Sequence, residues 1–362
     1  MLSTLFHIPS RLTLGGWSLP LFGAGVLLAV WAVWAAVAVA RSIAARGWRE
    51  TVTALGLPLA VTGGLIAFIL PALDDGQGVP VRGYGVMLLA AAAAGTWLSV
   101  RRGRALGFDA DTILGLGMEI FLWGLVGARL FYVLEYHEQF FRPGRSLWAA
   151  LPETLNLAAG GLVVFGSLPT AALAAWRFAA RRRLPLLDLA DCIAPGLLLG
   201  LALGRLGCFL NGCCYGGPCD LPWAVPFPPH SPPWLDQASR GLLPPGTAGW
   251  SLPVHPAQLY AAIDAALLSG LAVAFTPLSR RPGEVFALVL TLHPISRLLL
   301  EAIRVDEPPA LGTPLSISQL ISVGLLTLAA ALWWWLSRQP LRPLDCPPAG
   351  PSSGRPIEEA PP

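Results

Sequence analysis

The sequence predicts an all-α protein, a polytopic bundle of about nine transmembrane helices. Of its 362 residues, 54% are hydrophobic and only 12% are charged, and the mean hydropathy is +0.61. Ordinary soluble domains carry about 25% charged residues. Apolar runs of roughly 18 residues, long enough to span a bilayer as helices, recur along the chain. The composition therefore excludes an ordinary soluble domain.

The apolar runs divide the chain into an N-terminal extension, a core and a tail. We predict spans at Leu19–Ala40, Thr51–Leu73, Tyr84–Val100, Thr112–Leu134, Leu155–Trp176, Leu187–Phe209, Ala257–Thr276, Glu284–Ile303 and Ser316–Leu336. Two spans belong to an extension (residues 1–78), and seven belong to a core (79–338). The core contains a long Pro/Gly-rich extracytoplasmic loop (211–256), and loops of this length are usually functional. The Pro-, Gly- and Ser-rich residues 339–362 predict a disordered cytoplasmic tail.

The distribution of arginine predicts the orientation of the bundle. The chain contains no lysine, and its arginines cluster after the first, third, fifth, seventh and ninth predicted spans. Connections rich in basic residues stay on the cytoplasmic side of a membrane. We therefore expect the N-terminus outside and the C-terminus in the cytoplasm.

Five further arginines lie in or near the outer halves of predicted spans: Arg82, Arg129, Arg205, Arg297 and Arg304. A charged residue in the membrane is costly and is a functional candidate by default. Guanidinium groups stay charged and bind phosphate through a planar fork. These residues predict a phospholipid-headgroup site in the outer half of the bundle. The alternative is that the side chains only snorkel to the interface, which is the better reading for Arg129 and Arg304 taken singly.

The eighth predicted span has one strongly polar face. His293, Arg297, Glu301 and Arg304 follow one another at spacings of four, four and three residues, which places them on the same side of a helix. Such a face lines the bundle interior or a cavity, because lipid excludes it. A structural ladder of ion pairs is the competing interpretation.

Four cysteines, Cys208, Cys213, Cys214 and Cys219, lie within twelve residues of one another. They could form a metal site or an extracytoplasmic disulfide. Their spacing matches no zinc or iron–sulfur pattern, and adjacent cysteines fit tetrahedral ligation poorly. We therefore expect no metal and no cofactor, and we leave a disulfide open.

Several motifs occur in a fixed order along the core. They are Tyr84-Gly85-Val86-Met87, Gly127-Ala128-Arg129, Gly204-Arg205-Leu206-Gly207 with Phe209, Asn211 and Gly216, His255-Pro256-Ala257-Gln258-Leu259-Tyr260, and Arg297 with Glu301 and Arg304. Together they resemble the prolipoprotein diacylglyceryl transferase family, over about Val79 to Leu336.

The resemblance implies a reaction between two membrane-anchored substrates. The family transfers the diacylglyceryl group of phosphatidylglycerol to the lipobox cysteine of a prolipoprotein signal peptide, which forms a thioether and releases glycerol phosphate. It also implies a multi-pass protein of the bacterial inner membrane that needs no cofactor and does not bind nucleic acid. We expect a monomer in contact with membrane lipids.

The resemblance also implies residue roles. Arg205 and Arg297 would bind the phosphate, and Glu301 would orient an arginine. Substrate-contacting positions would be Tyr84, Arg129, Asn211, Gly216, His255, Gln258 and Arg304, with Gly216 allowing close backbone approach.

The chain departs from the family pattern at three places. Phe165 replaces a family histidine that is a candidate for activating the thiol, and Cys208 and Cys213 replace an asparagine and a glutamate. His293 stands where tyrosine is common, so His293 is our candidate base, with a purely structural role as the alternative.

Two other functions remain open. One is an anionic-phospholipid-binding membrane protein without transferase activity. The other is a membrane redox protein that uses the Cys208–Cys219 cluster.

Overall fold

Long helices make up most of the protein, as seen in a computed structural model that describes residues 4–14, 17–141, 146–155, 161, 163–244, 246–305 and 312–341. In these ranges the helices are α1 (Val26–Arg46), α2 (Trp48–Gly64), α3 (Leu70–Ala72), α4 (Gly83–Ala105), α5 (Ala110–Glu135), α6 (His137–Phe140), α7 (Leu147–Leu155), α8 (Val164–Arg182), α9 (Leu186–Asn211), α10 (Pro232–Ser239), α11 (Ala257–Phe275), α12 (Glu284–Glu301) and α13 (Ile317–Ser337). A π-helical turn, Leu65–Ile69, connects α2 directly to α3.

Seven elements in the described part of the chain are long and apolar enough to cross a membrane. They are Val26–Arg46, Trp48–Ala72, Gly83–Ala105, Ala110–Glu135, Leu186–Asn211, Ala257–Leu278 and Ile317–Ser337. This confirms a mainly helical, polytopic membrane protein. The predicted spans Leu155–Trp176 and Glu284–Ile303 correspond to α8 and α12, which are helical but are not among these seven elements. The count of nine spans stays a prediction.

Four short strands, which an all-α prediction omits, flank the N-terminal helices. They are β1 (Thr4–Ile8), β2 (Arg11–Leu14), β3 (Trp17–Pro20) and β4 (Val79–Arg82), and β1 pairs antiparallel with β4 while β2 pairs with β3. The first helix therefore begins at Val26, and the predicted start at Leu19 is wrong. Hydropathy alone does not separate a short apolar strand from the first turn of an apolar helix.

The β1–β4 pairing connects the N-terminal extension to the start of α4. A contact between His7 Nε2 and Asp75 Oδ2, 3.1 Å apart, lies beside it. Of the tail, the structure describes residues 339–341, so the predicted disorder of residues 342–362 lies outside the described residues.

Glycines set the closest crossings between helices. A Cβ atom on Gly196 of α9 would lie 2.5 Å from the carbonyl oxygen of Gly95 on α4 and would overlap the Ser99 hydroxyl. A Cβ on Gly127 of α5 would likewise overlap the carbonyl oxygen of Gly166 on α8. Small residues let helix backbones approach in this way within membranes. The core is therefore assembled from two close pairs, α4 with α9 and α5 with α8.

Polar contacts from α9 position the two helices that complete the core around it. The Asp191 carboxylate accepts hydrogen bonds from the backbone N–H groups of Gly283 (2.7 Å) and Phe286 (2.8 Å) at the start of α12. A carboxylate at this place satisfies free amides and complements the helix dipole. Ser269 of α11 donates to the carbonyl oxygen of Pro195 (2.8 Å). These bonds hold the polar face of α12 toward α9 and α11.

Candidate active site

A narrow pocket lies among α9, α11, α12 and the loop that follows α9. It is lined by four predicted site residues, Arg205, His293, Arg297 and Arg304, and also by Leu201, Cys214, Ala257, Ala261, Asp264 and Leu300. Three separate parts of the chain thus converge on one place. The structure thus brings Arg205 of α9 next to the polar face of α12.

Glu301 holds two of the pocket arginines in place. Its Oε2 lies 2.9 Å from Arg297 Nη1 and 3.7 Å from Arg304 Nη1, and its side chain is 4% exposed. The other carboxylate oxygen accepts a hydrogen bond from the Ser316 hydroxyl (2.8 Å), while Arg297 Nη2 donates to Ser318 Oγ (2.8 Å). The polar face of α12 is therefore an ion-pair ladder and a pocket wall at the same time.

The pocket carries more positive than negative groups. Arg205 has no hydrogen-bond or ion-pair partner among the residues that the structure describes. The pocket-lining residues include three guanidinium groups, from Arg205, Arg297 and Arg304, and one carboxyl group, from Asp264, while Glu301 pairs with Arg297 and Arg304. An anion such as a phosphate complements this excess of positive charge.

The backbone around Gly216 closes the pocket from the loop side. Gly216 N–H donates to His255 O (3.0 Å), Gly217 N–H donates to Ile303 O (2.9 Å), and His255 N–H donates to Gly217 O (3.0 Å). A Cβ on Gly216 would lie 2.7 Å from His255 Cβ and 2.9 Å from Ile303 O. The close approach expected at this glycine is to the protein's own backbone, and it places Gly216 beside Arg304.

The predicted residues His255 and Gln258 support the same junction. His255 Nδ1 lies 3.5 Å from the Tyr260 hydroxyl, which also accepts a hydrogen bond from Trp223 Nε1 (2.7 Å). Gln258 is 1% exposed, and its amide donates to the backbone oxygen of Cys213 (2.7 Å). Gln258 Oε1 is buried and accepts no hydrogen bond within the described part of the chain. The Gln258 side chain therefore supports the loop that carries the cysteines, while the His255 ring lies beside Tyr260.

Three of the four clustered cysteines come together at the pocket rim. The sulfur atoms of Cys208, Cys213 and Cys214 all lie within 4.8 Å of one another, a group that does not include Cys219. All are free thiols in the structure. Hydrogen bonds from Cys208 and Cys213, with the nearby charge of Arg205, lower the pKa of the Cys214 thiol well below its ordinary range, although burial opposes this.

Arg129 binds the connection between α5 and α8. Its guanidinium donates to the carbonyl oxygens of Glu153 (2.6 Å), Thr154 (2.7 Å) and Gly161 (2.9 Å), and it lies over the ring of Tyr132 at 5.3 Å. Arg129 is not among the residues that line the pocket. These contacts favour a role in holding the α5–α8 connection, and substrate contact stays a prediction.

Tyr84 and Asn211 flank the pocket rather than line it. Tyr84 packs against Gly207, where an added Cβ would lie 3.2 Å from Tyr84 Cδ2, and it is within electrostatic reach of Arg205 and the three thiols. Asn211 is exposed at the end of α9 and lines a neighbouring cleft with Phe227 and His230.

Sequence reasoning missed Asp264, which lies on the pocket wall. It belongs to α11, and its Oδ2 accepts a hydrogen bond from the Ser296 hydroxyl of α12 (2.7 Å). A carboxylate inside an apolar span is a functional candidate by default, so the signal was present in the sequence.

His293 is placed where a base would be useful. Its Nδ1 is buried and has no hydrogen-bond partner among the described residues. Asp264, Arg205 and Arg297 lie within electrostatic reach of its ring. Phe165, at the position of the family histidine, is in the first turn of α8 and is not one of the pocket-lining residues. The position of His293 agrees with its role as candidate base, which no contact here tests.

Comparison with known proteins decides the family. Residues 71–335 match the model of the family described as prolipoprotein diacylglyceryl transferase. The chain belongs to the prolipoprotein diacylglyceryl transferase family. The family assignment confirms the resemblance predicted from the ordered motifs.

Similar proteins named phosphatidylglycerol–prolipoprotein diacylglyceryl transferase come from several bacteria. One from Rhodopirellula baltica is 37% identical over 262 residues, which cover 67% of this chain and 50% of that protein. One from Gloeobacter violaceus is 32% identical over 267 residues, covering 73% of this chain and 92% of that protein. A third, from Trichormus variabilis, is 30% identical over 298 residues, covering 79% and 96% respectively.

Proposed function

We propose that this protein transfers the diacylglyceryl group of phosphatidylglycerol to the lipobox cysteine of prolipoproteins. The products are a thioether-linked lipid and glycerol phosphate. The observation that carries the proposal is the pocket itself, where the guanidinium groups of Arg205, Arg297 and Arg304 converge. The names of the similar proteins supply the substrate pair.

The geometry suits the departure of a phosphate. As the carbon–oxygen bond to the diacylglyceryl group breaks and the carbon–sulfur bond forms, negative charge grows on the leaving phosphate. Arg205, Arg297 and Arg304 stabilise that charge from the walls of the narrow pocket. His293 Nδ1 takes the proton of the attacking thiol.

The remaining residues act around this centre. Glu301 positions Arg297 and Arg304, and therefore acts through them. Tyr84 and Asn211 contact the glyceryl or headgroup oxygens from beside the pocket. The reaction in this scheme needs no cofactor.

The pocket lies at the outer side of a bacterial inner membrane in this proposal. The N-terminus is then outside and the C-terminus in the cytoplasm, residues 1–78 form an extension, and the core over 79–338 works as a monomer. Labelling of engineered single cysteines with a membrane-impermeant reagent on whole cells checks the orientation, and light scattering of the purified protein checks the monomer.

Arginine substitutions test the transferase function. In nanodiscs with labelled phosphatidylglycerol and a lipobox peptide, Arg205→Ala and Arg297→Ala should each lower thioether formation by about 100-fold or more. Arg101→Ala is the control, because Arg101 is exposed at the far end of α4, beside Trp97.

Complementation of a transferase-depleted bacterium gives the same comparison in cells. No thioether product from the unaltered protein in either assay would refute the proposed function. Retained phosphatidylglycerol binding without product would favour the lipid-binding alternative.

A further inference from the structure

The three thiols at the pocket rim have the arrangement of a metal-binding site. We propose that Cys208, Cys213 and Cys214 bind one thiophilic divalent cation of the zinc class, with its fourth coordination position open to the pocket. Their sulfur atoms lie within 4.8 Å of one another. Sulfur atoms about 3.8 Å apart share one tetrahedral zinc at bonds of about 2.3 Å, so only small side-chain adjustments are needed.

The backbone explains how two adjacent cysteines reach one point. α9 ends with Gly212 at a φ of 77°, and Cys213 N–H then donates to Cys208 O (3.2 Å), which folds the chain back over the last helical turn. Cys214 adopts a φ of 60°, a left-handed conformation that is strained for a residue with a side chain. These two turns place all three sulfur atoms on one side.

The turn is held firmly from outside. Gln258, 1% exposed, donates to the Cys213 backbone oxygen at 2.7 Å, and Gly216 pairs with the backbone at His255 and Arg304. Ligands fixed in this way lose little conformational freedom when they bind a cation. The strain at Cys214 is therefore maintained by the surrounding structure.

The surrounding charge suits a complex of three thiolates. Three thiolates and one divalent cation carry one net negative charge. Arg205 and Arg304 lie within electrostatic reach of Cys214 and compensate it. Sulfur ligands favour zinc, cadmium or monovalent copper over magnesium or calcium.

The fourth position faces the pocket because Cys214 is one of its lining residues. A site with three protein ligands and an open fourth position accepts water or an incoming ligand. The incoming ligand that we test is a thiolate, because the proposed reaction brings the thiol of a lipobox cysteine to this pocket, so this choice of ligand rests on the proposed function. This cation site goes beyond the proposed transfer reaction and does not depend on it.

Cadmium titration of the reduced, full-length protein in nanodiscs tests the site. We expect one equivalent of cadmium to bind with a thiolate charge-transfer absorption band, and zinc to compete for the same equivalent. Cys208→Ser, Cys213→Ser and Cys214→Ser should each weaken binding by at least about 100-fold, above the effect of losing an outer-shell partner. Cys219→Ser is the matched control from the same loop and should bind as the unaltered protein does.

Addition of N-acetylcysteine amide tests the open position. A fourth thiolate on the bound cadmium should raise the charge-transfer intensity by about one third, since three sulfur ligands become four. An unchanged band overturns the open fourth position.

Absence of cadmium binding, or full binding by Cys214→Ser, overturns the site itself. A disulfide within the cluster that persists in the protein purified without reductant, seen by mass spectrometry of peptides, also overturns it. Each readout is independent of transferase activity, so failure here is distinct from failure of the proposed function.

Discussion

Replacing Glu301 with glutamine removes the charge that holds two pocket arginines while keeping the size of the side chain. Glu301 Oε2 is 2.9 Å from Arg297 and 3.7 Å from Arg304. At an effective dielectric constant of about 20, these distances correspond to gross attractions of roughly 6 and 4.5 kcal/mol. Desolvation offsets most of this, and breaking a buried pair typically costs about 3–5 kcal/mol.

The activity of Glu301→Gln should fall sharply because the released guanidinium groups lose their fixed geometry. If the whole loss of about 3–5 kcal/mol fell on transition-state stabilisation, kcat/KM would decrease by about 150- to 5,000-fold. We expect the decrease to appear mainly in kcat, since the arginines act on charge that grows as the phosphate leaves. The assay is thioether formation on a lipobox peptide in nanodiscs at varied phosphatidylglycerol.

Glu284→Gln is the matched control on the same helix. Glu284 is also buried and ion-paired, 3.2 Å from Arg281, but it lies at the opposite end of α12. We expect Glu284→Gln to lower thermal stability and to leave kcat nearly unchanged in the folded fraction. A Glu301→Gln protein with kcat/KM within threefold of the unaltered protein would refute the view that Glu301 positions the arginines.

Three other predictions test the base, a helix crossing and the outer connection. His293→Gln should lower kcat by about 100-fold or more with little change in KM, and an unchanged rate would remove His293 as the base. Gly196→Ala should destabilise the protein by about 1–3 kcal/mol, because the added Cβ meets the α4 backbone. Gly204→Ala is the control on the same helix, since a Cβ there meets open space. Thermal unfolding compares the two variants, and equal melting temperatures would contradict the close crossing. Arg129→Gln should speed proteolysis of the α5–α8 connection, because three hydrogen bonds to that connection are lost. It should lower activity less than Arg297→Gln does. A protease pattern like that of the unaltered protein would contradict the anchoring role.

Local patterns in the sequence were sufficient for the class of fold and for much of the site. Long apolar runs identify membrane helices because burial in lipid depends on composition more than on neighbours. His293, Arg297 and Glu301 could be assigned to one face of α12 because helical spacing is a local property. The same prediction was wrong for Arg304, which lies past the end of α12 and pairs with Gly216. The small strands at the N-terminus were missed, because pairing of Thr4–Ile8 with Val79–Arg82 joins residues far apart in the chain.

The tertiary structure decided which groups share the pocket. Asp264 reaches it from α11, and Cys214 reaches it through a left-handed turn, neither of which spacing along the chain reveals. Arg129 and Arg205 look alike in the sequence, yet one donates to three backbone carbonyls and the other lines the pocket. The sequence by itself determined that charged side chains had to lie inside the bundle, because lipid excludes them. Which partners they meet there was decided only by the helix crossings, because contact between distant segments depends on backbone geometry that no local pattern contains.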